Sequence, residues 1–216
     1  MQRGPDDPFK AATGGRVIIE EALRILDSNG IAAAVIVTAP GKEDIVSRLG
    51  SGPFGGVHLT YASRPSSPSV PHTVQAAVAT AGSRNVLLWF PDILVEPESL
   101  ARGLLEAHGK TGADVTLALV PSQRGDNVDI ISLDEGGEVG AISAKPGPGI
   151  RGWTWVAAVW TARFSAFLDR FVRFSHGPAD REWQMADVLN AGLGVDFIVR
   201  SVKFIDGNAL DVGTPD

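Results

Sequence analysis

Apolar positions along the first 120 residues alternate between two spacings. In "RVIIEEALRILDSNG" (16–30), Val17, Ile18, Ala22, Leu23, Ile25 and Leu26 recur at helical intervals, and Asn29-Gly30 is a helix-end signal. "IAAAVIVTA" (31–39) is a continuous apolar run, β-branched near its end, which predicts a strand buried on both faces. "GKEDIVSRLG" (41–50) predicts a short helix, "VHLTYA" (57–62) alternates as a strand does, and "TVQAAVATAG" (73–82) predicts a helix closed by Gly82. "NVLLWF" (85–90) is a second buried-looking strand, followed by a helix over 97–112 with Pro97 near its first turn.

Beyond residue 113 the pattern changes. "DVTLALV" (114–120), "VDIISLD" (128–134), "EVGAISAKP" (138–146) and "WTWVAAVWT" (153–161) are consecutive strands. Helical spacing returns over 162–174 and 181–194, before a last strand at 196–204. Helix–strand alternation in the first half implies crossover connections and parallel strands, while the run of strands in the second half implies an antiparallel addition. The expected architecture is a single α/β domain over 1–216, Rossmann-like, with a mixed, mainly parallel sheet flanked by helices. "ASRPSSPSVP" (62–71) is too long for a plain connector and is a candidate functional loop.

Composition narrows the function classes. The 216 residues are 44% hydrophobic, enough for a core, and carry a net charge of −6 without any basic block. That argues against nucleic acid and against an anionic membrane surface as partners. Without cysteine there is no disulfide scaffold, no zinc-thiolate site and no Cys nucleophile, and the four histidines have no i, i+4 ligand spacing. The start "MQRGPDDPFK" lacks the apolar core of a signal peptide, and no apolar run reaches the roughly 20 residues of a membrane span. The expectation is a soluble cytoplasmic domain.

One stretch raises a chemical question. "LLWFPDILVEP" (87–97) carries a strand straight into Pro91 and Asp92. Proline takes a donor out of the ladder and turns the chain from the sheet. Asp92 then either caps that turn or holds a hard cation at a strand end, where open α/β sheets bind their ligands. "LDVGTPD" (210–216) repeats the arrangement, so Asp92 and Asp211 could converge on one ion.

These residues, in order, resemble the sugar-1-phosphate nucleotidyltransferases, in particular the glucose-1-phosphate thymidylyltransferase-like members, from about residue 8 to the C-terminus. "FKAATGGRVIIEEALRIL" resembles the family's Lys-bearing loop and first helix, "TAPGKEDIVSRLG" the next strand–loop–helix, and "VPHTVQAA" the loop and helix that hold the base. "FPDILVEP" and "LDVGTPD" resemble the two metal-aspartate motifs, "SAKP" a Glu-Lys-Pro strand end, and "TWVAAVW" the strand lining the sugar pocket.

The resemblance implies transfer of a nucleotidyl group from a nucleoside triphosphate to a sugar-1-phosphate, giving an NDP-sugar and pyrophosphate. Its implied cofactor is Mg²⁺, held by Asp92 and Asp211. Lys145 would steady the sugar phosphate as a point charge, and Lys10 would lie near the α-phosphate or pyrophosphate. Backbone groups of Pro71, His72 and Thr73 would face the nucleobase, and Thr154 and Trp155 would border the sugar. The bland alternatives are a solvated Lys10, an exposed strand-end Lys145, a surface His72, and a tryptophan set shared between core and pocket wall. A homo-oligomer is left open.

The chain also departs from the family. Relatives begin with a central apolar strand and a Gly-rich phosphate loop, whereas this sequence opens within or just after that loop, so the first strand is expected to be missing. Ala144 stands at the Glu of Glu-Lys-Pro, and Asp129 at a Gly that usually contacts the sugar, which narrows or recharges the pocket. The Lys10 loop is short, and no helix follows "GTPD". Base and sugar stay open. So does a second reading, a catalytically weak or inactive paralogue that binds nucleotide or a partner subunit, which pyrophosphate release would separate from the first. A glycosyltransferase using a metal-held nucleotide sugar ranks last, because "VDI" and "PDI" each hold one acid where a carboxylate-x-carboxylate motif is needed.

Overall fold

The computed structural model describes residues 17–123, 125, 127–178 and 181–212. In chain order the elements are α1 (Ile18–Ser28), β1 (Ala33–Thr38), α2 (Glu43–Leu49), β2 (His58–Ser63), α3 (Val70–Ala81), β3 (Val86–Trp89) and β4 (Ile93–Glu96). They continue with α4 (Leu100–Thr111), β5 (Val115–Ser122), β6 (Ile130–Leu133), β7 (Val139–Ser143), β8 (Gly152–Trp160), α5 (Ala162–Phe174), α6 (Met185–Leu193), β9 (Val199–Lys203) and β10 (Asn208–Asp211). Among the described residues no helix is long and apolar enough to cross a membrane.

The centre is β8, nine residues long. β5 runs antiparallel along one of its edges. Its other edge takes β3 at the C-terminal end and a single bridge to β6, Ile131 to Trp153, near the N-terminal end. β9 extends the sheet parallel to β5, and β7 pairs antiparallel with β6. The sheet is mixed and flanked by helices, as expected, but among the described residues its one parallel pair is β5–β9, and the other parallel pair, β1–β2, stands apart from it. The physical reason is β8. It enters between β3 and β5 in the opposite direction and makes both contacts antiparallel.

Alternation along β5 sorts its side chains to two cores. Val115, Leu117 and Leu119 face a core closed by α3, α5 and α6, while Ala118 and Val120 face a second core under α4. Packing is close where α6 meets α5: a β-carbon on Gly192 would lie 2.9 Å from the Phe164 ring. α5 starts at Thr161, whose hydroxyl accepts the Phe164 N–H. Trp160 is fully buried, with its indole N–H donated to Ser165 Oγ at 2.9 Å.

β1 and β2 form a separate parallel pair. A small core of Leu23, Leu49 and Val57 lies under it. α3 packs on β1 and β2 and also enters the main core through Val74 and Val78. On the other side Asn29 ties α1 to α4: its Nδ2 donates to Glu98 O at 2.7 Å, and its Oδ1 accepts the Arg102 N–H at 3.1 Å. Among the described residues β1 pairs only with β2, and β3 only with β8, so each keeps one edge without a strand partner. Both strands are accordingly half-buried rather than buried on both faces, as their apolar runs had predicted.

Candidate active site

The sequence "FPDIL" turns out of β3 at Phe90 and re-enters extended structure as β4, which pairs antiparallel with β10. Asp211 lies opposite Ile93, and the Val212 N–H donates to Asp92 O at 3.0 Å. Two aspartates more than a hundred residues apart thus meet, Asp92 in the turn just before β4 and Asp211 in β10, and both line one cleft of about 280 Å³. Its other walls include Lys145, Asp129, Thr154 and Trp155. The cleft lies at the C-terminal end of β5, where Val120 to Ser122 line it, and beside the Phe90–Asp92 turn.

A bulge in β8 shapes the wall. The register with β5 passes from Ala118–Ala157 to Leu119–Trp155 and skips Val156. An extra residue re-aims a strand locally, and here Thr154, Trp155 and Val156 all reach the cleft although they are consecutive. Trp155 is 7% exposed. Phe90 meets it edge-on with centroids 5.4 Å apart, and its Nε1–H donates to Asp129 Oδ2 at 3.0 Å.

Lys145 follows β7 and has φ 42°, left-handed for a residue with a side chain and set just before Pro146. Burial pushes the Asp129 carboxyl above the ordinary range; the Trp155 N–H, the Lys145 charge and the Lys145 backbone N–H act against that rise.

The structure therefore gathers Asp92, Asp211, Lys145, Asp129, Thr154 and Trp155 in one place. Pro71, His72 and Thr73 lie elsewhere. The helix α3 starts at Val70, earlier than its apolar spacing suggests, so these three form its first turn, and Val70 is the α3 residue on the cleft wall. The His72 ring stacks on Trp183 with centroids 5.6 Å apart, and its Nδ1 meets Ser69 Oγ at 2.8 Å. Burial, then the Arg64 charge, lowers its pKa. Thr73 is hydrogen-bonded to Ser67. Lys10 lies outside the described residues.

Sequence reasoning missed Phe90, Asn127 and Gln184 on the wall. Gln184 was hidden because 181–194 reads as one helix. The helix starts at Met185, with Gln184 as its N-cap and the Asp187 carboxylate accepting the Gln184 N–H at 2.8 Å.

Two adjacent carboxylates are hard oxygen donors. No cluster of three or more His, Asp or Glu suited to a metal occurs among the described residues. A pair of carboxylates fits Mg²⁺, which keeps several waters and completes its shell with substrate phosphates.

The cleft and its two aspartates are thus set on a mixed α/β sheet flanked by helices. Solved structures share this fold. A glucose-1-phosphate thymidylyltransferase from Bacillus anthracis, solved with sucrose, superposes with a TM-score of 0.79 at 17% identity, covering 94% of this chain and 79% of that one. UDP-glucose pyrophosphorylase from Acinetobacter baumanii gives 0.70 at 18%, over 94% and 79%. HddC from Yersinia pseudotuberculosis gives 0.70 at 11%, over 94% and 83%. No protein-family model and no curated protein matches the sequence. At these identities the likeness is one of fold, and it is the fold that the sequence motifs led us to expect.

Proposed function

We propose that the cleft transfers a nucleotidyl group from a nucleoside triphosphate to a sugar-1-phosphate. The observation that carries this reading is the β4–β10 pairing, which sets Asp92 beside Asp211 on a cleft that also holds Lys145. The names of the solved structures that share the fold point the same way. In the reaction a phosphate oxygen of the sugar-1-phosphate attacks the α-phosphorus. A new P–O bond forms, the bond to the β-phosphate bridging oxygen breaks, and pyrophosphate leaves with that electron pair. Such transfer depends on alignment and charge neutralisation.

Asp92 and Asp211 would hold Mg²⁺, which when bound neutralises charge on the reacting phosphates. Lys145 would pair with the sugar phosphate. Thr154 and Trp155 would border the sugar, with Asp129 beside them on the cleft wall. The base would lie toward Val70, with Pro71, His72 and Thr73 as the helical turn behind it, and Lys10 would act near the triphosphate. Binding of nucleotide without turnover is the second reading. It is favoured by the edge of β3 that has no strand partner among the described residues, β3 being the strand that leads into Phe90 and Asp92.

The test is pyrophosphate release with Mg²⁺, the common nucleoside triphosphates and a panel of sugar-1-phosphates. The proposal expects turnover with at least one pair and a loss on the order of 100-fold in Asp92→Asn. No release from the folded wild type with any pair would favour the binding-only reading.

A further inference from the structure

The charges on the cleft wall do not balance. Among the described residues it holds three carboxylates, Asp92, Asp211 and Asp129, and one cation, Lys145. Under the nucleotidyl-transfer reading Asp92 and Asp211 face a divalent ion, and Lys145 faces the phosphate of the acceptor. Asp129 is then left over. It is half-buried, where an unmatched charge is costly.

The surroundings of that carboxylate are aromatic. Its Oδ2 accepts the Trp155 indole N–H at 3.0 Å, so it lies at the edge of that ring. Phe90 meets Trp155 with centroids 5.4 Å apart and ring planes at 64°, and both rings line the cleft. Two rings at that angle form a corner. Ring faces carry negative potential and attract a cation within about 6 Å of the centroid. An N–H donated to a carboxylate leaves the indole richer in electrons, which strengthens the attraction. Val128 and Met185 line the same cleft and add apolar surface that keeps water from a bound cation. A neutral sugar would hydrogen-bond to Asp129 without balancing its charge. A positively charged nitrogen would satisfy both the carboxylate and the two rings.

We infer that the acceptor is a phosphate ester carrying a cationic nitrogen, which sits against Trp155 and Phe90 and pairs with Asp129 while Lys145 takes its phosphate. The phosphate end rests on the nucleotidyl-transfer reading; the cation site rests on the cleft wall itself. An amino sugar and a choline-like amino alcohol both supply such a nitrogen.

The first arm of the test is binding to the free protein, followed by NMR at the Trp155 indole N–H. Two pairs of probes are titrated, choline against its uncharged carbon isostere and glucosamine against glucose. At least one cation should bind roughly tenfold or more tighter than its neutral counterpart. Asp129→Asn, which keeps an oxygen for the indole N–H, should remove that advantage and leave the neutral probes as they are in wild type. The second arm is pyrophosphate release with Mg²⁺ and the nucleoside triphosphates, comparing glucose-1-phosphate, glucosamine-1-phosphate and phosphocholine. One of the two cationic acceptors should exceed glucose-1-phosphate in kcat/KM by roughly tenfold or more, and which one does so tells an amino sugar from an amino alcohol. The Asn variant should lose that preference. Cations bound no more tightly than their neutral counterparts in wild type overturn the inference, as does a wild-type preference for glucose-1-phosphate. Absent turnover with every acceptor counts against the transfer reaction alone, and the binding arm still decides the cation site.

Discussion

The central strands β5 and β8 and the strands β1 and β3 are built from similar sequences with different results. "VTLALV" in β5 and "VAAVW" in β8 are fully buried, whereas "AAVIVT" in β1 and "VLLW" in β3 are half-buried. The difference is pairing, not composition. Among the described residues, β5 and β8 have strands on both edges, and β1 and β3 have a strand on one. An apolar run of this kind states that a strand can be buried; whether it is depends on neighbours the run does not encode. The β1–β2 pair is held to the rest by α3 on one side and by the Asn29 clasp on the other.

The comparison can be sharpened by substitution. Trp160→Ala should be the most damaging, at about 3–5 kcal/mol in urea unfolding, since it empties a fully buried site and leaves Ser165 without its donor. Ile36→Ala, on half-buried β1, should cost below about 2 kcal/mol. Equal losses would break the contrast. Asn29→Ala should cost about 1–3 kcal/mol, because Asn29 is buried and both its clasp partners, Glu98 just before α4 and Arg102 on it, lose their hydrogen bonds. It should also speed amide exchange in β1 more than in β5. Uniform acceleration would show that the two regions open together.

The smallest expected effect is on pH dependence. Burial lowers the pKa of His108, whose Nδ1 meets Thr116 Oγ1 at 2.9 Å, below its ordinary 6.5, and His72 is lowered as well. The unfolded chain then binds more protons than the folded one between the depressed value and 6.5. Stability should therefore rise as pH increases through that window and level off above it. Denaturant midpoints measured on both sides of pH 6 should show the slope, and His108→Gln should flatten it by less than about 1 kcal/mol. A slope of the opposite sign would contradict the assigned environments.

Much of this was legible in the chain. The helix over 162–174 and the strands around 115–120 and 153–160 follow directly from spacing. The convergence of Asp92 and Asp211 could be anticipated because each ends an apolar run at a turn. The start of α3 was misplaced although Pro71 in the first turn marks it, because apolar spacing becomes regular only from residue 73. The tie from Asp129 to Trp155 was not legible, since it depends on the register among β5, β6 and β8 and on the bulge at Val156. The preponderance of antiparallel pairs was hidden for a similar reason: nothing local says that β8 inserts between β3 and β5.

The claim that Asp92 and Asp211 address one ion is tested most directly by titrating Mn²⁺, as a paramagnetic stand-in for Mg²⁺, with a nucleoside triphosphate present. Wild type, Asp92→Asn, Asp211→Asn and the double variant would be followed by electron paramagnetic resonance. The account predicts that each single variant weakens binding roughly tenfold or more and that the double variant is far from the sum, as for two ligands of one site. Wild-type affinity in both single variants would contradict it and return Asp92 to the role of a turn residue.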